Sequence, residues 1–268
     1  MNQLIKYPGS KWSPAKWIIS KFPPHRSYLE PFFGSGAVFF NKSPSDIETI
    51  NDLDGDIVNL FYCIRERPEE LIDRISFIPY SRQVYNEAFE ALPKTTDPVE
   101  RAVLTCVKMN MGHGFKTNGY KNGWKNDVQG RQKAYAVRGW VGLPEQILLA
   151  CKRLQMAQIE NMDAIDLIRR FNNERVLVYC DPPYVMQTRH GAQYKCEMDD
   201  AKHEELLDVL KKHRGPALIS GYDSDMYNTY LKSWHREEKS ARDQKGRERR
   251  EILWMNYEQS QMSIERMV

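Results

Sequence analysis

The chain has 268 residues, 41% of them hydrophobic, enough for one large domain with an inserted part and too many for a short peptide module. Charged residues at 28% and aromatics at 11% are ordinary for a folded domain, and a net charge of +3 does not by itself announce a nucleic-acid partner. No run reaches the roughly 18 to 20 apolar residues of a membrane span, and the first residues lack a signal-peptide core, so a cytoplasmic protein with no membrane partner is expected.

In chain order, Ser13-Pro14 offers an N-cap and a first-turn proline, which predicts a helix running to about Lys21, where Pro23-Pro24 stops it. A short strand ends at Pro31, Phe32-Phe33-Gly34-Ser35-Gly36 turns the chain, and residues 37–42 open the next helix. Residues 47–51 read as a second strand, followed by a helix with Ile57, Leu60, Phe61 and Ile64 on one face. From about Arg67 to Gln155 the alternation of strand and helix lapses. Two helical faces remain, one of Val103, Leu104, Val107 and Met111 and one of Ile147, Leu148, Cys151 and Leu154, with residues 112–142 between them. After residue 155 the alternation returns, with apolar runs at 176–180 and 217–220 and a helix around His203 to Lys212. Such runs suit parallel strands covered on both faces, and the fold class is therefore α/β, a doubly wound, Rossmann-like sheet with ligands beyond the strands' carboxyl ends.

The sharpest motif is Asp181-Pro182-Pro183-Tyr184, directly after the apolar run 176–180. A given tetrapeptide of this kind arises by chance in on the order of one chain in a thousand of this length, so its position at a strand's carboxyl end is informative. A carboxylate from Asp181 and the carbonyl of Pro182 can accept both hydrogens of a conjugated amino group and turn its lone pair toward an electrophile. Tyr184 offers a surface on which a flipped base can stack. Gly34 and Gly36 sit at a strand-to-helix turn where backbone can approach a ligand. Position 39 is Phe where a dinucleotide fingerprint wants a small residue, and no Walker lysine follows, which argues against nicotinamide, flavin and nucleoside triphosphate. Asp52 ends the second strand at the spacing of a ribose-binding acid; Asp54 and Asp56 compete for that role, but either suits a helix cap better.

Together these elements resemble the Dam-type adenine-specific (N6) DNA methyltransferases, in the family's order and over nearly the whole chain. Lys6-Tyr7-Pro8-Gly9-Ser10-Lys11-Trp12 is similar to the family's N-terminal cofactor motif, which implies that Tyr7 and Lys11 contact S-adenosylmethionine or the adjacent target pocket. The segment Glu30 to Gly36, with Phe32, Gly34 and Gly36, resembles its glycine motif, Asn51-Asp52 its ribose-binding acid and Asp181-Pro182-Pro183-Tyr184 its catalytic tetrapeptide. Asn161-Met162-Asp163 resembles the segment whose acid contacts the cofactor's adenine, with Asp166 as a competing position. Residues 251–257 look like the late strand leading to the sheet's terminal hairpin.

The resemblance implies a catalytic domain over residues 1–66 and 156–268, and a mainly helical target-recognition insertion over 67–155. Between Lys108 and Arg138 seven basic residues stand against Asp127 alone. Lys116, Lys121, Lys125, Arg131, Lys133 and Arg138 could hold phosphates of double-stranded DNA, while Asn118, Tyr120, Asn122 and Trp124 could read or wedge bases. The run from residue 236 to 250 mixes seven basic with four acidic residues and reads as a mobile solvated loop. Five cysteines without a Cys-x-x-Cys pair, and six histidines without ligand spacing, predict free thiols and no metal. A monomer in solution is expected. RNA adenine and the N4 amine of cytosine stand as alternative targets, and a DNA-binding protein that has lost catalysis as an alternative function.

Overall fold

The computed structural model describes residues 1–113, 116–126, 128, 135–188, 191–242 and 248–258. A short helix α1 (Ala15–Ile19) leads into β1 (Ser27–Glu30) and β2 (Ile47–Asn51). Pro14 itself takes the N-cap of α1, so the helix begins one residue later than Ser13 predicts and makes no side-chain cap. Asp54 caps α2 (Gly55–Glu66) by accepting the Asp56 N–H.

Among the described residues, α-helices follow before the sheet resumes: α3 (Pro68–Ser76), α4 (Arg82–Ala91), α5 (Pro98–Met111) and, further along, α6 (Tyr135–Val141). Next comes α7 (Leu143–Leu154), and then β3 (Ala157–Glu160), α8 (Ala164–Arg170), β4 (Val176–Cys180), α9 (Asp200–Lys211) and β5 (Ala217–Gly221). The chain closes on α10 (Asp225–Tyr230), β6 (His235–Arg242) and β7 (Glu248–Met255).

The seven strands lie in the order β3-β2-β1-β4-β5-β7-β6. The first five run parallel, and β7 pairs antiparallel with both β5 and β6. All five residues of β4 and of β5 are buried, as strands covered on both faces must be. The topology reverses between β1 and β4, where Leu29 sits opposite Val178, so Glu30 and Asp181 emerge side by side at the switch point.

One hydrophobic cluster joins Tyr28, Ile57, Phe61, Val103, Val107, Ile147 and Leu154 on one side of the sheet; Leu29, Val178, Leu206 and Trp254 belong to a second on the other. Helices α5 and α7 thus share a core with α2. Arg153 on α7 also ion-pairs with the buried Glu48 of β2, which Lys42 meets from the other side.

Three expectations need correction. Residues 37–42 form turns instead of a helix: the Phe40 and Lys42 N–H groups reach Gly36 and Val38, but Ser43-Pro44 ends the run before it can propagate. Phe33, Phe39 and Phe40 pack edge to face there, holding the bend. In α7, Leu148 is 49% exposed, and Ala150 and Leu143 take its place in the core. The run from 236 to 250 is no loop in its described parts, because residues 236–242 and 248–250 are the arms of the β6–β7 hairpin. Mixed charge suits an edge strand with solvent on both faces.

Candidate active site

A cavity of about 1020 Å³, its open mouth included, lies beyond the carboxyl ends of β1 and β4. Seven of the residues singled out in the sequence line it: Tyr7, Lys11, Phe32, Gly34, Asp52, Asp163 and Asp181. Gly36 lies behind the turn. Pro182 and Tyr184 are buried beside the cavity, and Pro183 faces it.

The glycine turn is built for close approach. Gly34 has φ of +50°, and a Cβ there would come within 2.8 Å of the Tyr7 ring. Gly36, at φ of +65°, would drive a Cβ to 2.5 Å from the Phe33 ring. Both positions combine a left-handed backbone with missing space, so only glycine fits.

Asp52 is fixed by this turn: its Oδ2 accepts the Gly34 N–H at 2.8 Å and its Oδ1 the Asp54 N–H at 2.9 Å. Burial pushes its carboxyl up to about 6, against the pull of those backbone donors. Asp54 is occupied as the α2 cap and pairs with Lys195 at 3.0 Å; Asp56 pairs with Lys195 and Arg101. Asp163 caps α8 through the Ile165 and Asp166 N–H groups and lines the cavity, whereas Asp166 is exposed and pairs with Arg169.

Asp181 Oδ1 takes two donors, the Ser220 hydroxyl at 2.9 Å and the Lys11 ammonium at 3.0 Å. Lys11 is 5% exposed, donates to the Gly9 carbonyl at 2.6 Å, and stands 3.6 Å from Glu251. Burial alone would lower its pKa, but Asp181 and Glu251 outweigh that and hold it above its usual range. Its Nζ sits 4.6 Å from the centroid of the Tyr184 ring. The Tyr184 hydroxyl donates to Glu251, and Tyr222 meets the ring edge-on at 4.6 Å.

Sequence reasoning gave no role to Glu30, Ser220 or Glu251. Glu30 is 2% exposed, accepts the Tyr28 hydroxyl at 2.6 Å, and is pushed up to about 8 by burial, with the Asp181 charge adding to the rise. An acid closing a buried strand just before a glycine turn was the available signal. Ser220 likewise ends an apolar run at the same rim. Glu251 interrupts the step from an arginine pair to an apolar strand, a weaker hint.

The chain beyond Tyr184 returns over the cavity, where Tyr194, Cys196, Glu197 and Met198 line it. This wall is tied to the insertion: the Thr117 N–H donates to the Gln193 carbonyl at 2.7 Å, the Lys195 N–H to the Thr117 hydroxyl at 2.9 Å, and the Asn118 amide to the Ala192 carbonyl at 2.9 Å.

The expected nucleic-acid residues divide by environment. Lys116, Lys121 and Arg138 are exposed, and Lys116 lies 4.9 Å from the ring of Tyr120, itself 64% exposed. Asn122 offers its carbonyl to the Tyr85 hydroxyl at 2.7 Å. Trp124 is half-buried between Tyr80 and Arg82 and bridges to Gly112, while the Lys125 ammonium covers the Tyr135 ring at 4.0 Å. Arg131 and Lys133 lie outside the described residues.

A mostly parallel sheet with a terminal antiparallel hairpin, and an acid-lined cavity at its switch point, define the class as a Rossmann-like methyltransferase. Residues 7–244 match the D12 class of N6 adenine-specific DNA methyltransferases, and the chain belongs to that family. It is 27% identical over 233 residues to the DNA adenine methylase of Escherichia coli strain K12, covering 82% of this chain and 80% of that one. Similarity to the DNA adenine methylase of Salmonella typhi is 28% over 231 residues, with the same coverage. For that of Vibrio cholerae it is 26% over 235 residues, covering 82% of this chain and 81% of that one. The protein is therefore an enzyme that methylates adenine in DNA, and the alternatives of RNA, cytosine and lost catalysis fall away. Among the described residues no helix is long and apolar enough to cross a membrane, and no cluster of metal-ligating side chains occurs.

Proposed function

We propose that the methyl donor is S-adenosylmethionine, that it occupies the cavity between Tyr7 and Asp163, and that the target is an adenine flipped out of double-stranded DNA. The observation carrying this reading is the Asp181 carboxylate at the cavity wall, whose Oδ1 is engaged by Lys11 and Ser220; among the described residues its Oδ2 has no such partner and is the acceptor offered to the target. The cavity fits the donor: Gly34 lets the turn pack directly on the Tyr7 ring, Tyr7 and Phe32 offer apolar walls, and Asp52 and Asp163 offer acceptors for ribose hydroxyls and an adenine amine. When bound, the donor supplies a methyl group activated by its sulfonium.

The protein's part is orientation. Asp181 Oδ2 and the Pro182 carbonyl accept the two hydrogens of the target amine, which turns its lone pair toward the methyl. Transfer would form the C–N bond as the methyl's bond to sulfur breaks and its electron pair stays on sulfur as a neutral thioether; the amine, then cationic, would shed one proton toward Asp181. Tyr184, held by its hydroxyl, supplies the surface against which the flipped base packs. Residues 67–155 act as the target-recognition insertion on a catalytic body of residues 1–66 and 156–268. Within it Lys116, Lys121, Lys125, Arg131, Lys133 and Arg138 meet phosphates, and Asn118, Asn122 and Trp124 meet bases. The enzyme works as a monomer in the cytoplasm.

Incubation with labelled S-adenosylmethionine and separate pools of duplex DNA, single-stranded DNA and RNA, followed by digestion to nucleosides, tests the reading. N6-methyladenine from duplex DNA is expected. Label confined to another polymer would overturn it.

A further inference from the structure

Glu251 opens the buried part of β7, near Asp181 but outside the lining of the donor cavity. It is 7% exposed, followed in the strand by the buried apolar run Ile252 to Met255, and burial raises its pKa against the pull of Lys11. A buried acid at such a place needs a compensating partner. It has two, the Tyr184 hydroxyl and, at 3.6 Å, the Lys11 ammonium. Lys11 in turn bonds Asp181 at 3.0 Å and lies 4.6 Å from the Tyr184 ring centroid. Glu251 thus touches both groups that set the position of Asp181 and of the aromatic ring, yet it does not line the cavity.

We propose that Glu251 is a positioning residue for methyl transfer, which locks the Tyr184 ring and the Lys11 ammonium so that Asp181 keeps one carboxylate oxygen directed at the target amine. The inference rests on the reading of Asp181 given above. With Glu251 absent, the Tyr184 hydroxyl loses its buried acceptor and Lys11 keeps Asp181 as its one carboxylate. The contact that couples ammonium and ring through one carboxylate is then lost, although Lys11 keeps the Gly9 carbonyl and the ring keeps Tyr222. The charged and titratable groups facing Lys11 are Asp181 from the end of β4, Glu251 from β7, Tyr184 from the loop after β4 and Tyr194 from the wall over the cavity. Removal of the Glu251 charge weakens the field that keeps Lys11 protonated.

The test uses the full chain with saturating S-adenosylmethionine and duplex DNA in single turnover, reading Glu251→Ala, Glu251→Gln and Asp181→Ala beside the wild type. Glu251→Ala should slow transfer about 100-fold, the cost of about an ångström of misplacement, while donor affinity stays within about twofold. Glu251→Gln keeps an acceptor for the tyrosine hydroxyl. It should recover most of the rate at neutral pH, and a rate lost in Glu251→Ala but restored in Glu251→Gln at equal donor affinity marks the hydroxyl contact as the cause. A glutamate that served only packing would lower the unfolding temperature and leave the saturated rate of both variants unchanged. That result would overturn the inference. If Glu251→Ala does not fold, Glu251→Asp decides: it keeps the charge but draws it back from the tyrosine hydroxyl, and a saturated rate equal to that of the wild type overturns the inference. If Asp181→Ala is itself active, the reading of the site fails; if it is inactive while both Glu251 variants behave as wild type, only the role of Glu251 fails.

Discussion

The rim of β4, β5 and β7 and the loop at residues 116–126 both carry polar and aromatic side chains, but in opposite states. At the rim, Lys11, Asp181, Ser220, Glu251 and Tyr184 satisfy one another inside the protein, and Lys11 is 5% exposed. At the loop, Lys116, Tyr120 and Lys121 reach into solvent, held by little more than ring contacts. The difference separates chemistry from recognition. A reacting amine must meet groups already fixed, whereas a duplex supplies its own charge and shape to order what meets it.

The largest effect should come from breaking the fixed side. Asp181→Ala is expected to slow transfer by about 1000-fold or more in a folded protein, measured in single turnover, since orientation of the amine and acceptance of its proton are lost together. Activity within a few-fold of wild type would remove Asp181 from the mechanism.

A smaller effect is expected at Asp52. Asp52→Asn should weaken S-adenosylmethionine about 10- to 100-fold by calorimetry, because two ribose hydroxyls lose a charged acceptor. With its carboxyl raised to about 6, Asp52 is ionised above that pH and protonated below it. Donor affinity of the wild type should therefore hold above pH 6 and fall by up to about tenfold per unit beneath it, a dependence that Asp52→Asn should lack. If Asp54→Ala, not Asp52→Asn, abolishes binding, the helix cap is the ribose ligand.

The smallest effects belong to the exposed side. Lys116→Ala, Lys121→Ala and Arg138→Ala should each weaken all duplex sequences alike and reduce the salt slope of binding by about one. Asn118→Ala or Asn122→Ala should instead relax one position of the target sequence, at roughly 1 to 3 kcal/mol. Equal affinity and unchanged target choice throughout would make this loop a cover over the core.

The same contrast explains what the sequence made legible. The run at 176–180 is fully buried and ends in Asp181-Pro182, so strand, boundary and site could be read together. β6 could not be read, because an edge strand of alternating charges shows no apolar face. The preference for Asp52 over Asp54 followed from capping geometry, and Asp54 does cap α2. Glu251 stayed hidden for a different reason: its partners lie 67 residues away at Tyr184 and farther still at Lys11, and no local spacing encodes a contact made across a sheet. Trp124 was legible as an aromatic in a basic loop, but its packing between Tyr80 and Arg82 was not, because no local spacing encodes either contact.

The most direct test crosses the two regions, measuring for Asp181→Ala and for the double variant Lys116→Ala/Lys121→Ala both the DNA dissociation constant and the single-turnover rate at saturating DNA. A fixed catalytic rim beside an adaptable reader predicts that the effects separate: Asp181→Ala loses the rate and keeps DNA affinity within a few-fold, and the double variant loses affinity and keeps the saturated rate. Loss of DNA affinity in Asp181→Ala equal to its loss of rate, or a collapsed rate at saturation in the double variant, would contradict the account.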